Sequence, residues 1–157
     1  MRNPRWTRGV RIAVDVGTVR IGLAKCDPDG ILATPLRTVA RAKSGAKAPD
    51  SPADLAEIAA AVAEHEAVEV VVGLPVALGG QERQAASEAR QYADRLARIV
   101  APVPVRMVDE RMSTVVATRR LSERGVRGKR GRAVVDQAAA VEILQGWLDT
   151  HRRVSDA

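Results

Sequence analysis

At 157 residues the chain has the length of one domain, long enough to bury a core of its own. Apolar residues make up 46% and charged residues 28%, a balance that excludes a disordered or membrane-embedded chain. The net charge of +6 favours a polyanionic partner, but Trp6, Tyr92 and Trp147 are too few to stack single-stranded bases on aromatic platforms.

A lone cysteine, Cys26, excludes an internal disulfide and any cysteine-rich zinc site, and it fits a reducing cytoplasm. His65 and His151 are too scattered for a zinc hydrolase motif. The basic start MRNPRWTRG leads into no apolar stretch of leader length, and the longest apolar run, near 70–78, falls far short of a membrane span. The expectation is a cytoplasmic protein that engages no membrane.

Residues 1–9 read as a flexible N-terminal arm, 10–150 as the domain and 151–157 as a tail. Over 11–27, RIAVDVGTVRIGLAKCD, apolar residues alternate on both sides of a Gly-Thr break, which predicts a β-hairpin with strands near 10–16 and 20–26. Asp27-Pro28-Asp29-Gly30 is a turn, because proline presets φ and glycine tolerates positive φ. A third strand is expected near 31–38. A polar loop follows, and Ser51-Pro52-Ala53-Asp54 opens a helix to about 66.

VEVVVGL at 68–74 is continuously apolar, the pattern of a strand covered on both faces in a parallel sheet. Gly79-Gly80 opens a second helix to about 99, with Ala85, Ala89, Tyr92, Leu96 and Ile99 as its stripe. A strand at 103–108, a short helix from Ser113 and a final helix over 133–149 complete the chain. Three hairpin strands followed by α-β-α-β-α give an α/β fold with a mixed sheet.

Three carboxylates stand out against this frame. Asp15 interrupts an apolar strand, where aspartate has poor β-propensity and a high burial cost. Asp136 lies four residues before Ala140 and seven before Ile143, so it starts the buried stripe of the final helix that continues through Leu144 and Trp147. An acid near a helix start can equally serve the helix dipole. Glu110 follows an apolar strand at its carboxyl end, where α/β sheets place their ligands. Asp109 points the other way in an extended chain, so only one of that pair can serve. Gathered at one end of the sheet, three hard oxygen donors suit Mg²⁺ or Mn²⁺, and two such ions suit displacement at a phosphodiester.

Basic residues add to this. Arg119, Arg120, Arg124, Arg127, Lys129, Arg130 and Arg132 crowd a glycine-rich run against one acid, Glu123, and lead into the helix carrying Asp136. Contact with a phosphate backbone is favoured over a solvated face. Arg20 and Arg111 flank two of the acids as candidate substrate clamps, and the backbone amides at Gly79 and Gly80 can receive a phosphate.

The chain resembles the YqgF/RuvX family of RNase H-like nucleases through DVGTVRIGLA at 15–24, VVGLPVALGG at 71–80, DERMST at 109–114 and DQAAAVEIL at 136–144. The resemblance implies an RNase H-like three-layer fold with a five-stranded sheet of order 3-2-1-4-5 flanked by helices. It carries the catalytic, metal-binding role to Asp15, Glu110 and Asp136. It also implies a cytoplasmic nuclease processing the 5′ end of precursor 16S rRNA, with Holliday-junction resolution on branched DNA as the alternative. One departure is Val19-Arg20, where the family usually has Lys-Arg. A junction resolvase, which makes two symmetric cuts, would act as a homodimer; processing one RNA end has no such need.

Two rivals differ in class. Sugar kinases and actin begin with a similar Asp-x-Gly-Thr hairpin, but they close two such domains around a nucleotide and this chain has room for one. A non-catalytic RNA-binding module would keep the basic residues and lose the acids, and all three acids are present.

Overall fold

The computed structural model describes residues 6–17, 19–41, 53–74, 80–109 and 129–156, with 80–85, 109, 129–136 and 152–156 described as backbone alone. The expected hairpin forms from β1 (Arg11–Val16) and β2 (Arg20–Cys26), paired antiparallel from Ile12 opposite Lys25 to Val16 opposite Ile21. The Gly17 N–H donates to the Arg20 carbonyl at 3.0 Å, closing the turn.

β3 (Ala33–Ala40) pairs antiparallel with β2. It begins two residues later than expected because the preceding turn takes Ile31 and Leu32 for itself. Asp27 Oδ1 accepts their N–H groups at 3.0 and 2.8 Å, and Gly30 sits at φ 68°. Desolvation pulls the Asp27 carboxyl upward, yet the N–H groups of Leu32, Ile31 and Asp29 outweigh it and hold the carboxyl below its ordinary value. Pro35 lies within β3 without penalty, since β3 is an edge strand and its outer side needs no N–H.

The chain then alternates through α1 (Ala53–Glu64), β4 (Glu69–Leu74), α2 (Gly80–Val100) and β5 (Val105–Asp109), and the last described element is α3 (Lys129–Asp156). The sheet order is β3-β2-β1-β4-β5, with β4 parallel to both β1 and β5, as expected. Alternation along β1 separates two cores. Ile12 and Val14 pack with Leu55 and Ile58 of α1 and Tyr92 and Leu96 of α2. Ala13 faces the other way, toward Ala140, Ile143, Leu144 and Trp147 of α3. The result is three layers, helix–sheet–helix.

Several details differ from expectation. Ile99 is 38% exposed, and Val100 takes its place in the buried stripe of α2. Positions 99 and 100 are both one turn beyond Leu96, and the neighbouring Val103 fits the latter. α3 begins at Lys129 rather than 133, so Lys129, Arg130 and Arg132 are helical, and it continues past 149 to Asp156. Asp54, read as an acid at a helix start, is buried and accepts a hydrogen bond from Tyr92 Oη at 3.0 Å. Cys26 is buried too, and its Sγ accepts the Arg11 N–H at 3.2 Å. Burial pushes the thiol pKa up, which leaves it no ready route to linking two chains. The helix cap at Ser51-Pro52 and the short helix from Ser113 lie outside the described residues. No described helix is long and apolar enough to cross a membrane.

At the opposite end of β1 from the Gly17 turn, Trp6 packs down, although it falls in the segment expected to be a loose arm. Its ring lies 3.8 Å from the Arg11 guanidinium, its Nε1–H donates to the Pro28 carbonyl, and it meets Trp147 at 6.2 Å. Arg11 is buried, and its guanidinium donates to Glu69 Oε1 and to the carbonyls of Thr7 and Gly9. Removing one partner of a buried pair strands the other. Replacing Arg11 with Met is therefore expected to cost on the order of 3 kcal/mol in denaturant unfolding. A loss too small to measure would show that Glu69 and Arg106 hold this end without it.

Candidate active site

Asp15 occupies the last turnward position but one in the central strand and is only 3% exposed. Strand alternation sets it on the face of Ala13, the α3 side. Its cross-strand partner is Gly22. On the other side Val14 pairs with Val72, and the next residue of β4 is Gly73. Gly73 shares the α3-side face with Val71 and pairs with Val108. Glycine puts no side chain on the sheet, so the carboxylate stands in a slot with side-chain-free positions on both flanking strands.

The start of α3 reaches the same row. Thr38 of β3 lies opposite Gly22, which lies opposite Asp15. Gln137 Nε2 donates to Thr38 Oγ1 at 2.9 Å and so ties the helix to that row. Asp136 is the residue immediately before Gln137. It stands seven residues after Lys129, well inside the helix. The macrodipole acts over the first turn only, so the early start of α3 removes dipole complementation as the reason for this acid. Gln137 and Thr38 were invisible to pattern reading; nothing in their spacing marks them apart from ordinary polar surface.

β5 ends at Asp109, paired with Leu74, one residue later than expected. It is two strands from β1, a lateral gap of roughly 10 Å at ordinary strand spacing. Glu110, Arg111 and Arg127 lie outside the described residues, as do Gly79, Arg119, Arg120 and Arg124. Gly80 is the first residue of α2, and Lys129, Arg130 and Arg132 form the first turn of α3. Arg20 opens β2, half-buried, on the strand next to Asp15. Beside it Val19, where the family pattern has lysine, is 64% exposed at the turn.

Asp15 is thus buried in a central strand beside glycine positions, with Gln137 of α3 tied to its row. Residues 9–150 match the family described as RuvX, Holliday junction resolvase. The chain belongs to the RuvX family. A relative from Rhodococcus erythropolis, named as a candidate pre-16S rRNA nuclease, is 58% identical over 146 residues, covering 93% of this chain and 81% of its own length. One of the same name from Streptomyces coelicolor is 54% identical over 149 residues, covering 95% and 85%. T. thermophilus RuvC, solved in complex with a Holliday junction substrate, superposes with a TM-score of 0.53 at 17% identity over 94% of this chain and 97% of that one. That likeness concerns the fold, which is RNase H-like. This member of the RuvX family is a nuclease.

Gly17 follows Asp15 by two residues, and a Cβ there would stand 2.5 Å from the Arg20 carbonyl oxygen. Gly17→Ala must therefore open the turn between Asp15 and Arg20. The expected loss is about 1–3 kcal/mol, the range for overpacked sites. It should appear as a drop of roughly 2–4 °C in melting midpoint per kcal/mol. An unchanged midpoint would mean that the turn relaxes without cost.

Proposed function

We propose that the chain is a metal-dependent phosphodiester hydrolase whose substrate is the 5′ end of precursor 16S rRNA. The observation that carries this reading is Asp15, a carboxylate almost wholly buried in the central strand between glycine positions. A buried carboxylate is costly unless something compensates its charge. The hard oxygen donors Asp15, Glu110 and Asp136 fit Mg²⁺ or Mn²⁺ as their ligand. A pair of such ions, when bound, would stabilise the attacking and leaving oxygens of an in-line displacement.

The chain's own residues divide the remaining work. Asp15 supplies a carboxylate held by its pairing with Gly22 of β2, next to Val14, which pairs with Val72 of β4. Asp136 comes from a helix tied to the same row by Gln137. Glu110 is favoured over Asp109 because the family motif DERMST at 109–114 carries the role to it. Arg20, Arg111, Arg127, Lys129, Arg130 and Arg132 would hold phosphates, together with backbone amides at Gly79 and Gly80. Such contacts are to the backbone and carry no sequence preference. The cytoplasm is the compartment we assign.

The name shared by the relatives at 54–58% identity supports RNA as substrate. The description of the matched family supports the second reading, a resolvase of branched DNA acting as a C2 homodimer. Labelled precursor rRNA and four-way junction DNA, each incubated with Mg²⁺, Mn²⁺ or EDTA, separate the two. Cleavage of the RNA alone is expected, with none in EDTA. Cleavage of the junction alone, by a dimer in light scattering, would replace the RNA reading with the resolvase one.

Asp15→Asn should fold at least as stably as the parent, since a buried charge is removed, and should cut nothing. Normal cleavage by the folded variant would refute the assignment. Neutralising several of Arg119, Arg120, Arg124, Arg127, Lys129, Arg130 and Arg132 should weaken binding and lower the salt dependence by about 0.7–0.9 for each phosphate that is no longer neutralised. If the slope of log affinity against log salt stays as it was, these residues form a solvated face.

A further inference from the structure

The turn between Asp15 and Arg20 is held from the side of the sheet opposite α3. Arg41, the residue after β3, brackets it twice. Its N–H donates to the Val19 carbonyl at 2.9 Å, and its guanidinium Nη1 donates to the Gly17 carbonyl at 2.9 Å. With the Gly17 N–H already given to Arg20, Gly17 is bound on both its donor and its acceptor.

The guanidinium is itself fixed. Its side chain is 16% exposed and lies 3.9 Å from Glu88 Oε2 of α2. Its Cζ stands 5.4 Å from the ring centroid of Tyr92. The Tyr92 hydroxyl donates to Asp54 Oδ2 of α1, and Asp54 and Tyr92 are both buried. Burial and then the Asp54 carboxylate push the Tyr92 phenol far above its ordinary pKa, so it remains a donor across the working range. A polar chain thus runs from α1 through Tyr92 and Arg41 to the turn beside Asp15.

We infer that Arg41 is a positioning residue for the nuclease reaction: by holding the Gly17 carbonyl it fixes the turn that sets Asp15 and Arg20 at their working separation. Arg41 touches neither substrate nor metal in this scheme. It acts through backbone, from the far face of the sheet, and it is needed because a glycine-containing turn alone is soft. Displacements of about 1 Å can cost a hundredfold in rate when reacting groups must be aligned. This inference rests on the proposed nuclease site, and its test separates the two.

The test compares wild type with Arg41→Gln and Arg41→Lys in two measurements. The first is steady-state cleavage of precursor rRNA and of junction DNA. Arg41→Gln should lower kcat by about ten- to a hundredfold with KM little changed, and Arg41→Lys, which keeps one donor, should recover part of it. A raised KM at unchanged kcat would overturn the inference in favour of direct substrate contact. The second is backbone amide exchange. In Arg41→Gln the amides of Gly17, Val19 and Arg20 should exchange about tenfold faster, while those of Ile12–Val14 keep their protection. Unchanged exchange at the turn would overturn the inference, and so would faster exchange throughout the sheet, which marks a general structural role. If Arg41→Gln fails to fold, Arg41→Lys carries both measurements. If wild type cleaves neither substrate, the nuclease reading fails, and exchange at the turn alone decides whether Arg41 clamps it.

Discussion

β1 is hydrogen-bonded along both edges, antiparallel to β2 and parallel to β4, and the positions of both cores and of Asp15 depend on that double pairing. A strand so held cannot slip by one residue without carrying Ile12 and Val14 out of one core and Ala13 out of the other. Asp15 is locked by the same restraint. A slip by one residue would carry its carboxylate from the α3 side of the sheet to the opposite face.

The two faces of the sheet divide the labour. The α3 side is lined by small residues, Ala13, Ala24, Ala33 and Ala140, which let a long helix lie close across β1, β2 and β3. That closeness lets Gln137 reach Thr38 and sets the residue before it near the row of Asp15. The α1–α2 side is filled by larger aliphatic groups around Ile12, Val14, Leu55 and Leu96. It also holds the polar chain from Asp54 through Tyr92 to Arg41, which reaches the Gly17 turn between Asp15 and Arg20.

Much of this was legible in the sequence, for physical reasons that differ by element. The hairpin announced itself by alternation around a glycine, and β4 by an unbroken apolar run suited to cover on both faces. Asp15 was conspicuous because charge is rare in such company. Strand order came from resemblance, since alternation says which face a residue takes and nothing about which strand lies beside it. Arg41 read as the start of a polar loop and Asp54 as an acid at a helix start, because a long-range polar contact leaves no local period. The start of α3 was misplaced because Gly131 disfavours a helix by about 1 kcal/mol. Nothing in the sequence marks Arg11, and only the folded chain brings Glu69 and Trp6 to it.

The packing of Trp6 has an optical consequence. Both tryptophans belong to one pile, with Arg11 over Trp6, Trp147 beside it and His151 stacked on Trp147 at 4.0 Å. Arg11 and Asp15 are separated by four residues of extended strand, roughly 13 Å. Intrinsic tryptophan emission therefore reports on one end of the molecule, and the end that carries Asp15 is dark. Emission follows the docking of the N-terminal segment and the melting of α3 from the sheet, and events at the Gly17 turn need a label placed there.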